Sequence, residues 1–473
     1  MSDKGKNMDI MLEPSEPGND RKNSAEELGV AMILDPAKEK KMMRKFDYYA
    51  LLLIGILYMF CNLDRGNIGN ANIAGMSKDL GLVGNQFGTA VTLLFATYVP
   101  FEGPTAVLLK IVGAKPLLAT CATCWGLVTL GMGFVKNWQG LYTCRLLLGF
   151  FEAGLIPCLE TYLGLVYKRE ERGTRMVMVY SWSAIASAFG GLLAYGLTQI
   201  NGPSGFAGWR WLFVVEGLLT LCVIPVFLWF FPGDILNAWF LSDDEKQMMR
   251  LRYSSNPQWG IEEKFTWGET LKAVKDPKFY AFFIILYCGD LTIYSFTTFL
   301  PSILKGMGYT SVHANLLTVP IYVWALAVFV VAGVSSDRFA TRSIPIGAGF
   351  VCMIVGYAIL ISVETVGVRY FACYGRHYKR ASMIGLCLTL ANTSGVVTGQ
   401  IFTTPTSPRY IRGLSICMGL AALGLCLVVT LVVSFNIVNR RRGRIIAKAE
   451  QEGRVLQPNP EMGDYDVFFR YSY

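Results

Sequence analysis

Eleven long apolar segments constrain this chain more than any other feature of its sequence. They centre on residues 46–68, 86–109, 116–135, 140–166, 176–200, 210–231, 278–301, 314–334, 344–363, 381–403 and 412–438. A helix needs about 20 mostly apolar residues to cross a bilayer core of about 30 Å. Because lipid offers no partner to an open backbone, these segments predict an all-α membrane protein with about eleven spans. Only 16% of the 473 residues are charged, against about 25% in an average soluble domain.

The hydrophilic stretches between these segments divide the chain into five parts. Charged residues, Pro and Gly dominate the start, which predicts a disordered cytosolic tail. The predicted parts are the tail 1–45, a six-span bundle 46–231, a cytosolic central loop 232–277, a second bundle 278–438 and a cytosolic tail 439–473.

Basic residues predict which loops face the cytosol. They cluster in the N-terminal flank “KEKKMMRK”, in “YKREERGTR” after the fourth span, in “SDRFATRS” after the eighth and in the C-terminal flank “NRRRGR”. Loops on the other side, such as “NGPSGFAG”, carry few charges. We therefore expect a multi-pass protein of the plasma membrane with its central loop in the cytosol. Within that loop, “LSDDEKQMMRLR” predicts a short amphipathic helix on the membrane surface.

The alternation of loops fails once, after the ninth span. Only Thr365 to Gly375 separate its expected outer end, near Glu364, from the basic loop “RHYKR”, which should be cytosolic. Eleven residues reach about 16 Å as a helix and about 36–40 Å when extended, and an extended strand cannot satisfy its backbone in lipid. We therefore expect the tenth span to be largely missing. Both termini would be cytosolic if that span were restored.

Two groups of about six spans around a hydrophilic loop predict a parallel repeat of two bundles. The sequence resembles the major facilitator superfamily, and within it the fungal allantoate permease branch of the anion:cation symporters, which includes nicotinate and other vitamin permeases. The resemblance lies in “NLDRGNIGNANIAGMSKDLGL”, “FATYVPFEGPTAVLLK”, “RLLLGFFEAGLIP”, “GWRWLFVVEG”, “SDRFATRS”, “HYKRASMIG” and “PRYIRG”. It implies a major facilitator fold of two six-helix bundles, here with an incomplete tenth helix, and a transporter rather than an enzyme.

An acid and a base lie side by side in the first span, at Asp64 and Arg65. The sixteen uncharged residues before them, Tyr48 to Leu63, give about 24 Å of helix, which is too short to cross a bilayer. The span must therefore continue through the pair to about Ile68. Either the pair lies at the interface and reaches water, or it faces a central cavity, as costly charges within spans usually do.

The fourth span carries a second acid and base, Arg145 and Glu152. Seven residues are nearly two helical turns, so the side chains share a face but stand about 10 Å apart along the axis. Salt bridges to neighbouring helices are the structural alternative. Similar sugar-acid symporters and vesicular glutamate and sialate carriers have an acid–base pair in span one and an Arg and a Glu in span four. The resemblance implies that Arg65 helps to hold a substrate carboxylate, and Arg145 is a second candidate for binding the substrate. It also implies that Asp64 and Glu152 carry coupling protons, while Arg145 favours the ionised form of Glu152.

Other polar residues within the spans have two interpretations each. Tyr98 could donate a hydrogen bond into the cavity or pack at an interface. Asn392 could face the substrate or bridge two helices, and Asp290 could face the cavity. Structural roles are expected for three acids and gating for three residues near the eighth span. Among the acids, we expect Glu102 to pair between helices, and Glu160 and Glu216 to make structural contacts near helix ends. The residues predicted to form the cytosolic gate are Asp337, Arg338 and Arg342.

These features predict proton-coupled import of a small organic anion, such as allantoate or nicotinate, by alternating access. The alternative is a membrane ligand sensor, or an inactive truncated isoform. The chain has two histidines and lacks a nucleophile elbow, HExxH or phosphate loop, so we expect neither an enzyme nor a metal or cofactor, only the proton as coupling ion. The net charge is +9, and the basic residues lie on either side of the apolar runs. This arrangement indicates a lipid bilayer as the partner rather than nucleic acid. We expect a monomer.

Overall fold

A computed structural model of the chain describes residues 36–200, 206–255, 277–339, 343–363, 365–373, 392–403, 409–452 and 466–470. Its regular structure in these ranges is helical. Nine helices there are long and apolar enough to cross a membrane. The all-α membrane architecture predicted from the apolar segments is therefore confirmed.

The helices follow the predicted segments closely. Numbered in chain order, they are α1 Pro36–Phe46, α2 Leu52–Ile73, α3 Met76–Asp79, α4 Gln86–Val112, α5 Ala114–Met132, α6 Trp138–Glu152, α7 Leu155–Val166, α8 Arg169–Leu197, α9 Gly208–Phe230, α10 Asp243–Ser255, α11 Pro277–Gly306, α12 Ser311–Phe339, α13 Ser343–Ser362, α14 Val366–Ala372, α15 Ser394–Ile401 and α16 Ile411–Gln451. A π-helical turn, Asp47–Leu51, joins α1 to α2.

The fourth predicted span and the predicted surface helix both form helices, but the fourth span is broken in two. The fourth predicted span is interrupted after Glu152 and continues as α7 from Leu155, where Pro157 lies in the first helical turn and so removes no helical hydrogen bond. The surface helix predicted in the central loop is α10.

Glycines let the helices of the first half approach closely. A Cβ on Gly217 of α9 would lie 2.5 Å from the backbone nitrogen of Leu130 on α5, and a Cβ on Gly149 of α6 would fall on the carbonyl oxygen of Leu94 on α4. Small residues at such crossings allow tight van der Waals packing within a bilayer, where no hydrophobic force drives helices together. Backbone proximity therefore holds α9 against α5 and α6 against α4.

An ionic network connects three elements at one end of the first half. Arg252 of α10 pairs with Glu39 of α1, and its Nη2 lies 2.5 Å from Glu171 of α8. Lys45 of α1 lies 2.6 Å from Glu245 of α10. We call this end of the molecule the basic face. The network fixes α10 and α1 against the start of α8.

The two halves meet closely at the other end, which we call the opposite face. Lys305 of α11 donates a hydrogen bond of 3.0 Å to the carbonyl of Ile73, the last residue of α2. Asn85, just before α4, donates one of 2.7 Å to Gln400 of α15. Gly88 of α4 and Gly399 of α15 stand so close that a Cβ on either would fall on the other's carbonyl oxygen. The opposite face is therefore closed by backbone contact.

The region of the missing tenth span is described only in part. After α13, the chain forms α14, whose seven residues rise about 10 Å, about a third of the bilayer core. Residues 374–391, which include all of the “RHYKR” loop and the start of the segment predicted at 381–403, lie outside the described residues. For the predicted gate, Asp337 and Arg338 belong to the end of α12, but their side chains and all of Arg342 also lie outside them.

Candidate functional site

The adjacent Asp64 and Arg65 lie well inside their helix. Because α2 runs on to Ile73 rather than stopping at about Ile68, the pair precedes the helix end by eight or nine residues, about 12–13 Å. Asp64 is 1% exposed and the Arg65 side chain 10%. This burial favours the cavity-facing interpretation over an interfacial pair that reaches water.

Arg65 is held by one helix while part of its guanidinium stays unused. Its Nε donates a hydrogen bond of 2.6 Å to Glu152 on α6. The guanidinium carbon lies 4.5 Å from the centre of the Tyr98 ring on α4, within the range of a cation–π contact. The buried Nη2 has no hydrogen-bond partner. A guanidinium presents up to five donors in a planar fork, so this one retains capacity to bind an anion.

Arg145 is a second buried guanidinium, close to three acids but bonded to none of them. It is 1% exposed, its Nε and Nη2 have no hydrogen-bond partner, and its charged neighbours are Glu152, Asp64 and Glu216. Within the described part of the chain it forms no ion pair. Glu152 thus pairs with Arg65 on another helix, as expected from the distance of about 10 Å between residues seven apart on one helix.

Glu216 joins this group, although the sequence analysis placed it near a helix end. That expectation is wrong, because Glu216 lies eight residues inside α9 and is 0% exposed. Its Oε1 accepts a hydrogen bond of 2.9 Å from Asn67, whose own Oδ1 accepts one of 2.8 Å from Asn70. The sequence “GWRWLFVVEGLLTLCVIPVF” already indicated a position inside the span. A single acid interrupts an apolar helix there, at least two turns from either end.

The Asp64 carboxyl faces Glu216 without any donor between them. The two side chains are close enough to interact as hydrogen-bonding groups, yet both Asp64 oxygens and Oε2 of Glu216 lack a donor. The Thr129 hydroxyl of α5 is near Asp64 but also makes no hydrogen bond. The centre of the first half therefore brings together three carboxyls and two guanidiniums, from α2, α6 and α9.

The remaining candidates lie apart from this group or at its edge. The Tyr98 ring contacts Arg65, and its hydroxyl is buried without a partner. Asn392 donates to both carboxylate oxygens of Glu102, at 3.4 and 3.2 Å, which is the helix-bridging arrangement and the interhelical pairing expected for Glu102. Asp290 is 3% exposed near the middle of α11. Within the described residues, no cluster of His, Cys, Asp and Glu could hold a metal ion.

A small polar cavity adjoins the group between the two halves. Asn62, Asn67 and Asn70 of α2 line it on one side and Thr297 of α11 and Thr318 of α12 on the other. Asn67 therefore contacts Glu216 and also borders the cavity. The cavity wall that these five side chains form carries amides and hydroxyls rather than charges.

Comparison with known proteins identifies the family. A model of the Major Facilitator Superfamily matches residues 54–375. The chain belongs to that superfamily. A high-affinity nicotinic acid transporter of Saccharomyces cerevisiae is 37% identical and aligns with 92% of this chain and 85% of its own. A major facilitator-type transporter of Emericella nidulans is 30% identical, with 92% and 94% covered. This superfamily member is therefore a transporter homologue and not an enzyme.

Solved structures support the same fold. A bacterial homologue of the human lysosomal transporter Spinster, in an inward-facing and unoccupied conformation, has a TM-score of 0.57 at 16% identity, with 86% of each chain covered. A D-xylose–proton symporter has a TM-score of 0.57 at 12% identity, with 80% of this chain and 96% of its own covered. At these identities the likeness concerns the major facilitator fold alone.

The alignment with the nicotinic acid transporter also bears on the missing span. It comprises 456 positions, while 92% of 473 residues is about 435, so about 21 positions have no residue from this chain. That number is close to the length of one membrane-spanning helix. The deficit agrees in size with the span that the loop alternation predicts to be missing.

Proposed function

We propose that this chain imports a small organic anion together with protons by alternating access. The substrate would be a carboxylate such as nicotinate or allantoate. The nearest functional description among the relatives cited above, a nicotinic acid transporter at 37% identity, supports this substrate class. The transporter would work as a monomer in the plasma membrane, with the proton as its coupling ion and the basic face in the cytosol.

The observation that carries the proposal is the state of Arg65. Its guanidinium is buried, oriented by Glu152 at 2.6 Å and by the Tyr98 ring at 4.5 Å, and still has a free Nη2. An orienting acid and an aromatic face leave such a group little freedom, so it can bind a carboxylate at a small cost in conformational entropy. Arg145, with two free nitrogens, would draw the anion towards the same centre.

The coupling protons would bind to Asp64 and Glu152. A buried carboxylate without enough donors is costly, and protonation removes that cost. When Glu152 takes a proton, its ion pair with Arg65 weakens and releases the guanidinium to the substrate. Proton and anion binding would therefore favour each other, which is the condition for symport.

Two further groups would act on the conformational cycle. Asn392, which bridges to Glu102 across the two halves, would hold the closed arrangement and become available to substrate when the halves move. Asp337, Arg338 and Arg342 would close the cytosolic gate.

Uptake into proteoliposomes tests this function. Purified protein with an imposed acidic exterior should accumulate labelled nicotinate, and a panel of unlabelled carboxylates should compete with it. Asp64→Asn should abolish proton-driven accumulation but retain counterflow exchange, because exchange needs no net proton movement. If accumulation survives Asp64→Asn unaltered, the assignment of the proton to Asp64 is wrong.

A membrane sensor, or an inactive isoform, is the second candidate. The seven-residue α14 and the deficit of about 21 aligned positions favour it, since a chain that lacks one span can bind a ligand in its intact first half without moving it. Nicotinate binding without flux in the same proteoliposomes would identify this case.

A further inference from the structure

We propose that Glu216 is a third proton-carrying carboxyl, which shares one proton with Asp64 and thereby keeps the buried site electrically neutral between transport events. This inference deepens the proposed function and rests on it for the role of the site in anion uptake. The shared proton itself is a property of the resting protein and can be observed without any substrate.

The geometry of the two carboxyls requires a proton between them. Asp64 and Glu216 interact side chain to side chain, yet neither Asp64 oxygen nor Oε2 of Glu216 receives a hydrogen bond from the protein. Two ionised carboxylates in this position could only repel each other. One proton converts either group into a donor to the other, which gives one oxygen of each carboxyl a partner and removes the repulsion.

Asn67 positions Glu216 for this role. Its amide donates to Oε1 at 2.9 Å while Asn70 donates to the Asn67 oxygen at 2.8 Å. The amide group therefore occupies Oε1 and leaves Oε2 for Asp64. Gly190 of α8 packs against the same amide, since a Cβ there would lie 2.9 Å from the Asn67 oxygen. The Asn67 amide is thus held from two helices and in turn orients Glu216.

The charges around the pair give the number of protons. The charged groups that face it are Arg145 and Glu152 of α6, and Arg65 of α2 is paired with Glu152. Three carboxylates against two guanidiniums leave one negative charge. Because an uncompensated charge is strongly unfavourable in a buried site, the resting site holds one proton. The Asp64–Glu216 pair is the place for it, because two carboxyls face each other there and neither forms an ion pair with a described residue.

The same count predicts how the site responds to a substrate. A monocarboxylate adds one negative charge, so neutrality in the loaded state requires a second proton. One proton therefore enters with each monoanion and passes through Glu152 and Asp64, the coupling residues proposed above. Glu216 keeps the shared proton when the anion and the coupling proton leave. Loss of the shared proton at alkaline pH leaves a negative site that repels the anion.

Infrared spectroscopy of the protein in lipid tests the shared proton directly. At neutral pH the wild type should show the C=O stretch of a protonated, buried carboxylic acid, and this band should disappear in Glu216→Gln and in Asp64→Asn. Glu160→Gln removes another partly buried carboxyl of the same half and should leave the band in place. If the wild type lacks the band, or if neither substitution of the pair changes it, the inference is wrong. Should one variant fail to fold, the other still decides.

Equilibrium binding of nicotinate across a range of pH gives a second test. In the wild type the dissociation constant should rise steeply at alkaline pH, about tenfold per pH unit for each proton linked to binding. Glu216→Gln leaves two acids against two bases, so its site is neutral without a bound proton. The slope of the logarithm of the dissociation constant against pH should therefore fall by one proton, whereas Glu216→Asp should keep the wild-type slope. A residue with only a structural role would change affinity equally at every pH, and an unaltered slope in Glu216→Gln overturns the inference. If the infrared result holds but no carboxylate binds, the proposed function fails and the shared proton stands.

Discussion

At the scale of single residues, the site depends on which donors are already occupied. Arg65 contacts Glu152 through Nε and Tyr98 through its planar face, and its Nη2 is free. A guanidinium can make these contacts at once because its donors lie in a fixed fork. A lysine ammonium is a single charged point, so it could pair with Glu152 or with a substrate carboxylate but not with both in the same geometry.

Arg65→Lys should therefore weaken nicotinate binding at least tenfold, about 1.4 kcal/mol, while the fold persists. Scintillation proximity binding on purified protein measures this affinity. Arg210→Lys is the matched control, because Arg210 also lies 4.5 Å over an aromatic ring, that of Trp209, but donates to the carbonyls of Gly133 and Val135 away from the site. Equal losses in the two variants would show that Arg65 acts through packing alone.

The residues of this site were unequally accessible from the sequence. Asp64, Arg65 and Glu152 could be named because charges within an apolar segment are costly and therefore informative. Glu216 satisfies the same criterion, and the predicted span 210–231 agrees with α9. The error therefore lay in assigning this acid to a helix end and not in the bounds of the span. The partner of Glu152 could not be chosen from spacing, since Arg65 reaches it from another helix and only tertiary packing decides which helices face each other.

At the scale of helices, α10 is attached to the first half by charge. Lys45 of α1 lies 2.6 Å from Glu245, and the backbone of Ser242 donates to the same carboxylate at 2.9 Å. Burial alone would raise the pKa of Glu245, but these hydrogen bonds and the Lys45 charge outweigh it and hold the pKa below its usual value of 4.5. A lowered folded-state pKa means that the ionised carboxylate stabilises the attachment above about pH 4.5 and that this contribution is lost as the pH falls below it.

We expect α10 to loosen as the pH falls below about 4.5 and this dependence to be weaker in Glu245→Gln, where the pairs of Arg252 with Glu39 and Glu171 remain. A spin label at Gln247→Cys, on the exposed side of α10, should become more mobile on acidification. Asp243→Asn is the control, because the Asp243 side chain is 97% exposed and pairs only with Lys246 of its own helix. An acid response as large in Glu245→Gln as in the wild type would assign the attachment to the Arg252 pairs instead.

The opposite face is closed by a glycine backbone contact, so the addition of one methyl group should open it. Gly399→Ala places a Cβ on the carbonyl oxygen of Gly88, so α4 and α15 must separate. The rate of disulfide formation between Asn85→Cys and Gln400→Cys, whose native side chains are hydrogen-bonded at 2.7 Å, should fall severalfold. Gly419→Ala adds its methyl where no atom lies within 4 Å, and an equal fall there would refute the role of the glycine contact.

At the scale of the whole molecule, the two halves could be predicted to different extents. The apolar segments predicted α2, α4, α5, α8, α9, α11, α12 and α13 with ends within about two helical turns, because the length that a bilayer imposes leaves few alternatives. They did not predict α3 or the break between α6 and α7. The contacts that close the opposite face could not be predicted, since they depend on which helices of the two halves meet. The count of spans predicts an incomplete second half, and the seven-residue α14 has the length expected of a remnant.

Restoring a tenth span should therefore increase nicotinate uptake and place both termini on one side of the membrane. The insertion is an apolar helix of about 20 residues between Cys373 and Arg376, which gives the chain an even number of crossings. An impermeant label on the tail after α16 reports its side, and uptake is measured on the same vesicles. A polar Gly/Ser insertion of equal length controls for added chain, because it adds the same number of residues but cannot cross lipid. The unaltered chain could instead transport as fast as the chain with the apolar insertion, with both termini on one side. In that case α14 and its neighbours complete the bundle without another span, and the hypothesis of a sensor or an inactive isoform has no support.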